Sequence, residues 1–257
     1  MSQTKNNLIV IIPAYEPHRD FIAYAKTVSE SAKCLIVIND GSGEDYDFIF
    51  NEIASVENVV YLRHNVNRGK GCALKTAFQY CAEHFAPQEV IVTADCDGQH
   101  ASKDVINVYE AALANEDSLI LGSRDFTQNN IPPKSQIGNS IFRGAFRFFY
   151  GQKVYDTQTG LRGFSVALGK EFTSVKGKRF EYEMTVLIYA KKNRIKIIET
   201  PIQTIYPDNP KDHVTHYRPI KDTVKIYAVV LKNLWMRKNK ERKKKYKAEK
   251  QAAKQKQ

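Results

Sequence analysis

Within the first 125 residues, short runs of β-branched and other apolar residues recur, each separated from the next by a stretch long enough for a helix. The runs lie at 8 to 12, 34 to 38, 59 to 62, 90 to 93 and 119 to 121, and the helix-length stretches around 20 to 32, 44 to 56, 70 to 84 and 102 to 114. Strands spaced this way need crossover connections, so they predict a mainly parallel sheet covered on both faces: an α/β, Rossmann-like, doubly wound fold. In an open sheet of this kind ligands gather at the carboxyl ends of the strands. The residues that follow each run are therefore the ones to read for function.

The second half is less regular. Residues 136 to 150 read as a helix, 156 to 166 as a loop entering a strand, 179 to 192 as a nearly all-apolar helix, and 194 to 205 as a strand interrupted by Pro201. This stretch is expected to add an acceptor-side wall. From Ile220 onward Val224, Tyr227, Ala228, Leu231, Leu234 and Trp235 recur at helical spacing opposite Lys221, Asp222, Lys225 and Lys232, which predicts an amphipathic helix over 220–236. The domain plan is thus 1–219 as the folded domain, then that helix, then a polybasic, flexible tail at 237–257.

Net charge looks like a nucleic-acid signature only until it is located. Of 39 basic and 28 acidic residues, twelve basic and two acidic ones lie in 232–257, leaving 27 against 26 in the body. A balanced body with a basic arm argues against a nucleic-acid partner and suits an anionic membrane surface, with a membrane-protein partner as a further possibility. Cys34, Cys72, Cys81 and Cys96 show no zinc-ligand spacing and read as reduced, mostly buried thiols. With no signal peptide and no apolar run of membrane-spanning length, the expected location is cytoplasmic, peripheral on the cytoplasmic face of the membrane.

The fourth run ends in Asp95-Cys96-Asp97-Gly98-Gln99-His100. Alternate residues of an extended segment point the same way, so Asp95 and Asp97 can converge on one hard cation, and Gly98 lets the chain turn beside it. Such an ion screens a diphosphate leaving group. The bland alternative is a strand-terminating turn, where Asp and Gly are favoured for local reasons. The first run ends Ile12-Pro13-Ala14-Tyr15-Glu16 and the second Asn39-Asp40-Gly41-Ser42, at the same sheet edge. Asp40 can accept from the N–H of a nucleobase, or these can be an ordinary turn and cap. Asn67-Arg68-Gly69-Lys70-Gly71 offers a helix start and a cation suited to phosphate.

Taken together with Gly122-Ser123-Arg124 and the run from Asp156 to Gly163 (DTQTGLRG), these motifs resemble the family 2 glycosyltransferases of GT-A fold, and among them the polyprenyl-phosphate sugar transferases akin to dolichyl-phosphate mannose synthase. The resemblance spans roughly 6 to 220. It implies that Pro13, Ala14, Tyr15, Glu16, Asp40, Lys70, Asp95, Cys96 and Asp97 bind the nucleotide-sugar and that Asp95, Asp97 and Gln99 hold Mg2+ or Mn2+. Arg124, Lys134 and Arg218 would meet the acceptor phosphate. Asp97, Arg124, Asp156, Arg162 and Glu183 would form the catalytic set. It further implies inverting transfer from a UDP- or GDP-sugar to a polyprenyl phosphate, in cell-envelope polysaccharide synthesis.

Arg124 can pair with a surface acid, and Glu183 can be a buried partner of Arg162. His213 and His216 tempt a metal reading, but the oxygen-rich acids suit the ion better, and 216–219 reads as a loop over the site. A glycan hydroxyl as acceptor would need a base, for which Glu183 or Asp156 are the candidates. A non-enzymatic nucleotide-sugar binder is the remaining class. A sugar nucleotidyltransferase would open with a Gly-rich basic loop, which this chain lacks.

Overall fold

The structure is a computed structural model that describes residues 7–124, 144, 146–147, 151 and 154–203, all within one compact unit spanning 1–217. The predicted helix at 136–150 has only Gly144, Phe146 and Arg147 among these residues. Lys134, His213, His216, Arg218, the 220–236 helix and the basic tail lie outside them.

Seven strands form one sheet: β1 (Leu8–Ala14), β2 (Cys34–Asn39), β3 (Val59–Arg63), β4 (Val90–Thr93), β5 (Ser118–Arg124), β6 (Arg162–Ser165) and β7 (Lys196–Ile202). Their spatial order is β3-β2-β1-β4-β6-β5-β7. All pairings are parallel except those of β6, which runs antiparallel between β4 and β5. β4 is therefore the middle strand, with β1 beside it and β2 on the far side of β1, so three of the carboxyl ends singled out in the sequence follow one another along the sheet edge. The sheet is mixed and mainly parallel, as the alternation of runs and helices requires.

The helices are α1 (Phe21–Ser31), α2 (Asp47–Ala54, preceded by a 3-10 turn), α3 (Lys70–His84), α4 (Ser102–Leu113), α5 (Val166–Phe172) and α6 (Glu181–Lys192). The even-numbered positions of β1, Leu8, Val10 and Ile12, share a buried cluster with Phe21 and Val28 of α1, Phe50 of α2 and Val108 of α4. The odd positions face the other side, because successive strand residues alternate. There α3 lies against β1 and β2, and α5 against β4, where Gly169 meets the side chain of Ile91. With both faces covered, β1 and β2 are buried along their whole length, which is why their sequences run apolar without alternation.

Two features of the second half differ from expectation. Its strands join the main sheet, β6 entering the middle and β7 closing the edge, a placement that the sequence did not show. β7 also runs through Pro201, which pairs in register with Ser123. An edge strand has one side without a partner, where a proline costs no ladder hydrogen bond. The short helix α5 carries no strong sequence signal beyond Ser165, whose side chain caps it by accepting from the Leu168 N–H. Among the described residues no helix is long and apolar enough to cross a membrane.

Candidate active site

The end of β1 is locked to the end of β2 before any ligand is considered. The Asp40 N–H donates to Ala14 O at 2.8 Å, the Glu16 N–H to Ser42 Oγ at 2.9 Å and the Ser42 N–H to Asn39 Oδ1 at 2.7 Å. Pro13 and Ala14 are buried in the strand, while Tyr15 and Glu16 stand partly open beyond it, Glu16 with φ 48°. The Tyr15 phenol is pushed up, first by its hydrogen bond to Glu16 and then by burial.

Asp40 is 3% exposed, and both of its oxygens are engaged. Oδ1 lies 2.7 Å from His64 Nδ1 and accepts from the Arg68 N–H at 3.1 Å, while Oδ2 accepts from the Gly69 N–H at 2.7 Å. Asp40 therefore holds the loop that opens α3. Gly69, at φ 96°, is where the chain turns into that helix, and a Cβ there would stand 2.5 Å from both Lys178 O and Arg179 Cγ.

The first residue of α3 carries the centre of the site. Lys70 Nζ lies 2.6 Å from Asp95 Oδ1 and 2.8 Å from Glu183 Oε1, joining the β4 tip to the first turn of α6. Burial alone would lower the Lys70 pKa, but the two carboxylates outweigh it and hold the ammonium above its ordinary range. Burial likewise pushes Asp95 upward, and Lys70 with His100 overrides that, leaving its carboxyl well below the usual carboxylate range. His100 Nε2 is 3.7 Å from Asp95 Oδ2, and its buried Nδ1 finds no hydrogen-bond partner among the described residues. Cys96, between the two acids, is pushed up to about 12 by burial and then by Asp97 and Asp95, so it is a neutral thiol. Asp97 is exposed at the tip, where its Oδ1 accepts from the Gln99 N–H at 3.1 Å.

A second cation–carboxylate pair lies on the β6–β5 side. Arg124 donates through Nε to Asp156 Oδ2 at 2.6 Å and through Nη2 to Oδ1 at 3.1 Å, a bidentate grip on a fully buried acid. Glu199 of β7 receives the N–H groups of Tyr155 and Asp156 on its Oε1, at 2.8 and 3.1 Å. Arg162 is buried and donates to three carbonyls, those of Thr159, Glu183 and Thr157. The bond to Glu183 goes to its backbone oxygen, so the two residues are neighbours without their side chains forming the pair considered from sequence. His64 and Glu199 were not singled out in the sequence. His64 directly follows β3, next to the Asp40 tip, and Glu199 is the one acid in a strand otherwise apolar or small at its centre.

The donor set can be tested against a divalent ion. Asp95 and Asp97 are hard oxygen ligands two residues apart at an open strand tip, and a cation, the Lys70 ammonium, already sits on Asp95. Among the described residues no three His, Cys, Asp or Glu side chains gather as a metal cage. These residues fit an ion bound by one or two carboxylates that completes its shell with phosphate oxygens and water, as Mg2+ commonly is.

A family model described as Glycosyl transferase family 2 matches residues 9–173. An uncharacterised protein of Methanocaldococcus jannaschii is 35% identical over 209 residues, covering 79% of this chain and 84% of its own. The UDP-N-acetylglucosamine–dolichyl-phosphate N-acetylglucosaminyltransferase of Methanococcus voltae is 30% identical over 219 residues, covering 78% and 86%. Among solved structures, glucosyl-3-phosphoglycerate synthase from Mycobacterium tuberculosis, in complex with Mn2+, UDP and glucosyl-3-phosphoglycerate, superposes with a TM-score of 0.66 at 14% identity, over 89% of this chain and 80% of that one. This last likeness is one of fold.

Proposed function

We propose that this chain, which belongs to glycosyl transferase family 2, moves a sugar from a nucleotide-diphosphate donor to a polyprenyl phosphate, with inversion at the anomeric carbon. One observation carries the choice of acceptor. The two acids that a hydroxyl acceptor would need as base are already held by cations: Glu183 Oε1 by Lys70 and both Asp156 oxygens by Arg124. A phosphate monoester needs no base, since with a second pKa of about 6 it is largely ionised at neutral pH. The name of the Methanococcus voltae relative supports a UDP-sugar donor and a dolichyl-type acceptor.

In this reading Pro13, Ala14, Tyr15 and Glu16 line the nucleotide and Lys70 adds positive charge where the diphosphate departs. Asp95, Asp97 and Gln99 would hold Mg2+ or Mn2+, an ion that screens the growing negative charge on the leaving group. Arg124, kept on Asp156, adds its positive charge at the acceptor phosphate together with Lys134 and Arg218, and the chemistry reduces to alignment of two anionic reactants. The basic tail at 237–257 would draw the domain to an anionic leaflet, where each basic residue near the surface contributes about 1 kcal/mol.

The test is a transfer assay with labelled UDP- and GDP-sugars, Mg2+ or Mn2+, and either a polyprenyl phosphate or a glycan acceptor. A chloroform-soluble, acid-labile glycolipid is expected. Label found only on the glycan would overturn the acceptor assignment.

A further inference from the structure

We infer that Glu199, on the edge strand β7, is a positioning residue for the acceptor side: it clamps the backbone at Tyr155 and Asp156, and so aims the carboxylate that carries Arg124. One carboxylate oxygen, Oε1, accepts from the Tyr155 N–H at 2.8 Å and from the Asp156 N–H at 3.1 Å. Successive amides of an extended chain point to opposite sides, so a single oxygen can take both only where the chain bends. The bend turns neighbouring side chains apart: Tyr155 is 46% exposed, whereas Asp156 is fully buried.

Asp156 receives Arg124 on both oxygens, and its Oδ1 also accepts from the Gln158 N–H at 3.2 Å. A buried carboxylate depends on those partners staying in place, because its charge has lost its water. The clamp and the grip come from adjacent strands. β7 pairs with β5 in parallel register, Leu121 opposite Glu199 and Arg124 opposite Ile202, so strand alternation sets Glu199 and Arg124 on opposite faces of the sheet. The 155–156 segment is thus held by its backbone from β7 and by its side chain from β5. Through Asp156, Glu199 governs where the guanidinium stands, without touching a substrate itself.

The inference deepens the acceptor reading above and rests on it for its catalytic consequence, but not for its structural one. The experiment therefore has two readouts on the full-length chain. Amide hydrogen exchange at 155–156 reports the clamp whatever the enzyme transfers, and Kd for a short-chain polyprenyl phosphate, set beside Kd for UDP in Mn2+, reports the arginine. Glu199→Gln keeps an oxygen that can accept from both amides and should hold exchange and both affinities within about threefold of wild type. Glu199→Leu should raise exchange at both amides and Kd for the lipid phosphate by about tenfold or more, the equivalent of one charge-assisted hydrogen bond, and leave UDP within about threefold. Asp156→Asn should weaken the lipid phosphate to a similar extent, and Glu199→Leu should add little to it in the double variant.

Glu199→Asp, which keeps the charge but draws the oxygens back by one methylene, gives a smaller effect in the same direction and carries the test if Glu199→Leu fails to fold. Unchanged exchange at Tyr155 and Asp156 in Glu199→Leu or, failing that, in Glu199→Asp would overturn the clamp. Equal weakening of UDP and lipid phosphate would also overturn the assignment, since a merely structural loss does not choose between ligands. So would a lipid-phosphate affinity that stays put while exchange quickens. If the wild type binds no polyprenyl phosphate, the acceptor reading fails, and exchange alone decides whether Glu199 holds Asp156.

Discussion

The Asp95 carboxylate rests against the backbone of Gly160, so closely that a Cβ on Gly160 would stand 2.3 Å from Asp95 Oδ2. The contact is held from both sides. Thr93, at the end of β4, donates its hydroxyl to Gly160 O at 2.7 Å, and Lys70 draws the carboxylate from the other side. Gly160→Ala therefore cannot be absorbed by a simple swing of Asp95 without parting it from Lys70. Its φ is not in the left-handed region, so the cost falls on the site rather than on the backbone. We expect transfer to fall by about a hundredfold, the scale of a 1 Å misplacement, with a melting temperature within a few degrees of wild type. A calorimetric scan beside a kcat/KM measurement checks both parts.

Asp95 and Asp97 should separate in their effects on stability. Asp97 stands exposed at the tip, whereas Asp95 is partly buried in a three-member charge cluster. Asp97→Asn is expected to abolish transfer while leaving unfolding free energy within about 0.5 kcal/mol of wild type. Asp95→Asn should lose transfer and also destabilise, by roughly 1–3 kcal/mol, because Lys70 forfeits a charged acceptor. Urea titration with the transfer assay distinguishes them, and normal turnover in Asp97→Asn would refute the ion assignment.

Much of this site was legible in the sequence because the parallel polarity of strands joined by helices follows from local pattern. Five apolar runs with helices between them put Ala14, Asp40 and Asp95 at one edge, and β2-β1-β4 adjacency makes them neighbours. What could not be read was the pairing of charges. Lys70 reads in the sequence as a cation suited to phosphate, and nothing there shows that it also bridges Asp95 and Glu183. Arg124 reads as an acceptor-phosphate residue, with a surface acid as its alternative partner, and the acid it grips is buried Asp156. These partners are 25 to 113 residues apart in sequence, and no periodicity encodes which acid faces which base. The antiparallel entry of β6 was equally hidden, since four residues, Arg162–Ser165, are too few to show a pattern.

Arg162 should prove a structural keystone rather than a group that meets substrate. Its guanidinium donates to carbonyls at 157, 159 and 183, tying the loop before β6 to the first turn of α6, and burial is the main influence on it, pulling its pKa down against the nearby Glu183 and Asp156. Arg162→Met strands the carbonyls of Thr157 and Thr159, at about 1–3 kcal/mol for each left unsatisfied, and takes one of two donors from Glu183 O, which keeps its helical N–H. We expect a loss of at least about 3 kcal/mol by denaturant titration. Arg162→Lys should recover only part, because an ammonium lacks the planar fork that reaches three oxygens. A variant of full stability with low turnover would instead mark Arg162 as a substrate contact.

Removing the Lys70 charge gives the sharpest electrostatic prediction. In Lys70→Met the Asp95 and Glu183 carboxylates remain close together without the cation between them, and leaving partners of a buried ion pair uncompensated costs about 3–5 kcal/mol. Asp95 retains partial exposure, so the lower end of that range is expected. The pH dependence follows from the direction of the shift. In the wild type the Asp95 pKa lies below its ordinary value of 3.8, so its contribution is complete above about pH 4 and is lost as the pH falls further. In the variant the ammonium no longer opposes burial, and protonation relieves the repulsion with Glu183. The melting-temperature gap between the two proteins should therefore be widest at neutral pH and narrow below about pH 4. A divalent ion offers the same carboxylates a replacement cation, so millimolar Mn2+ should raise the melting temperature of Lys70→Met more than that of the wild type. Equal increments in both would place the ion elsewhere than at Asp95.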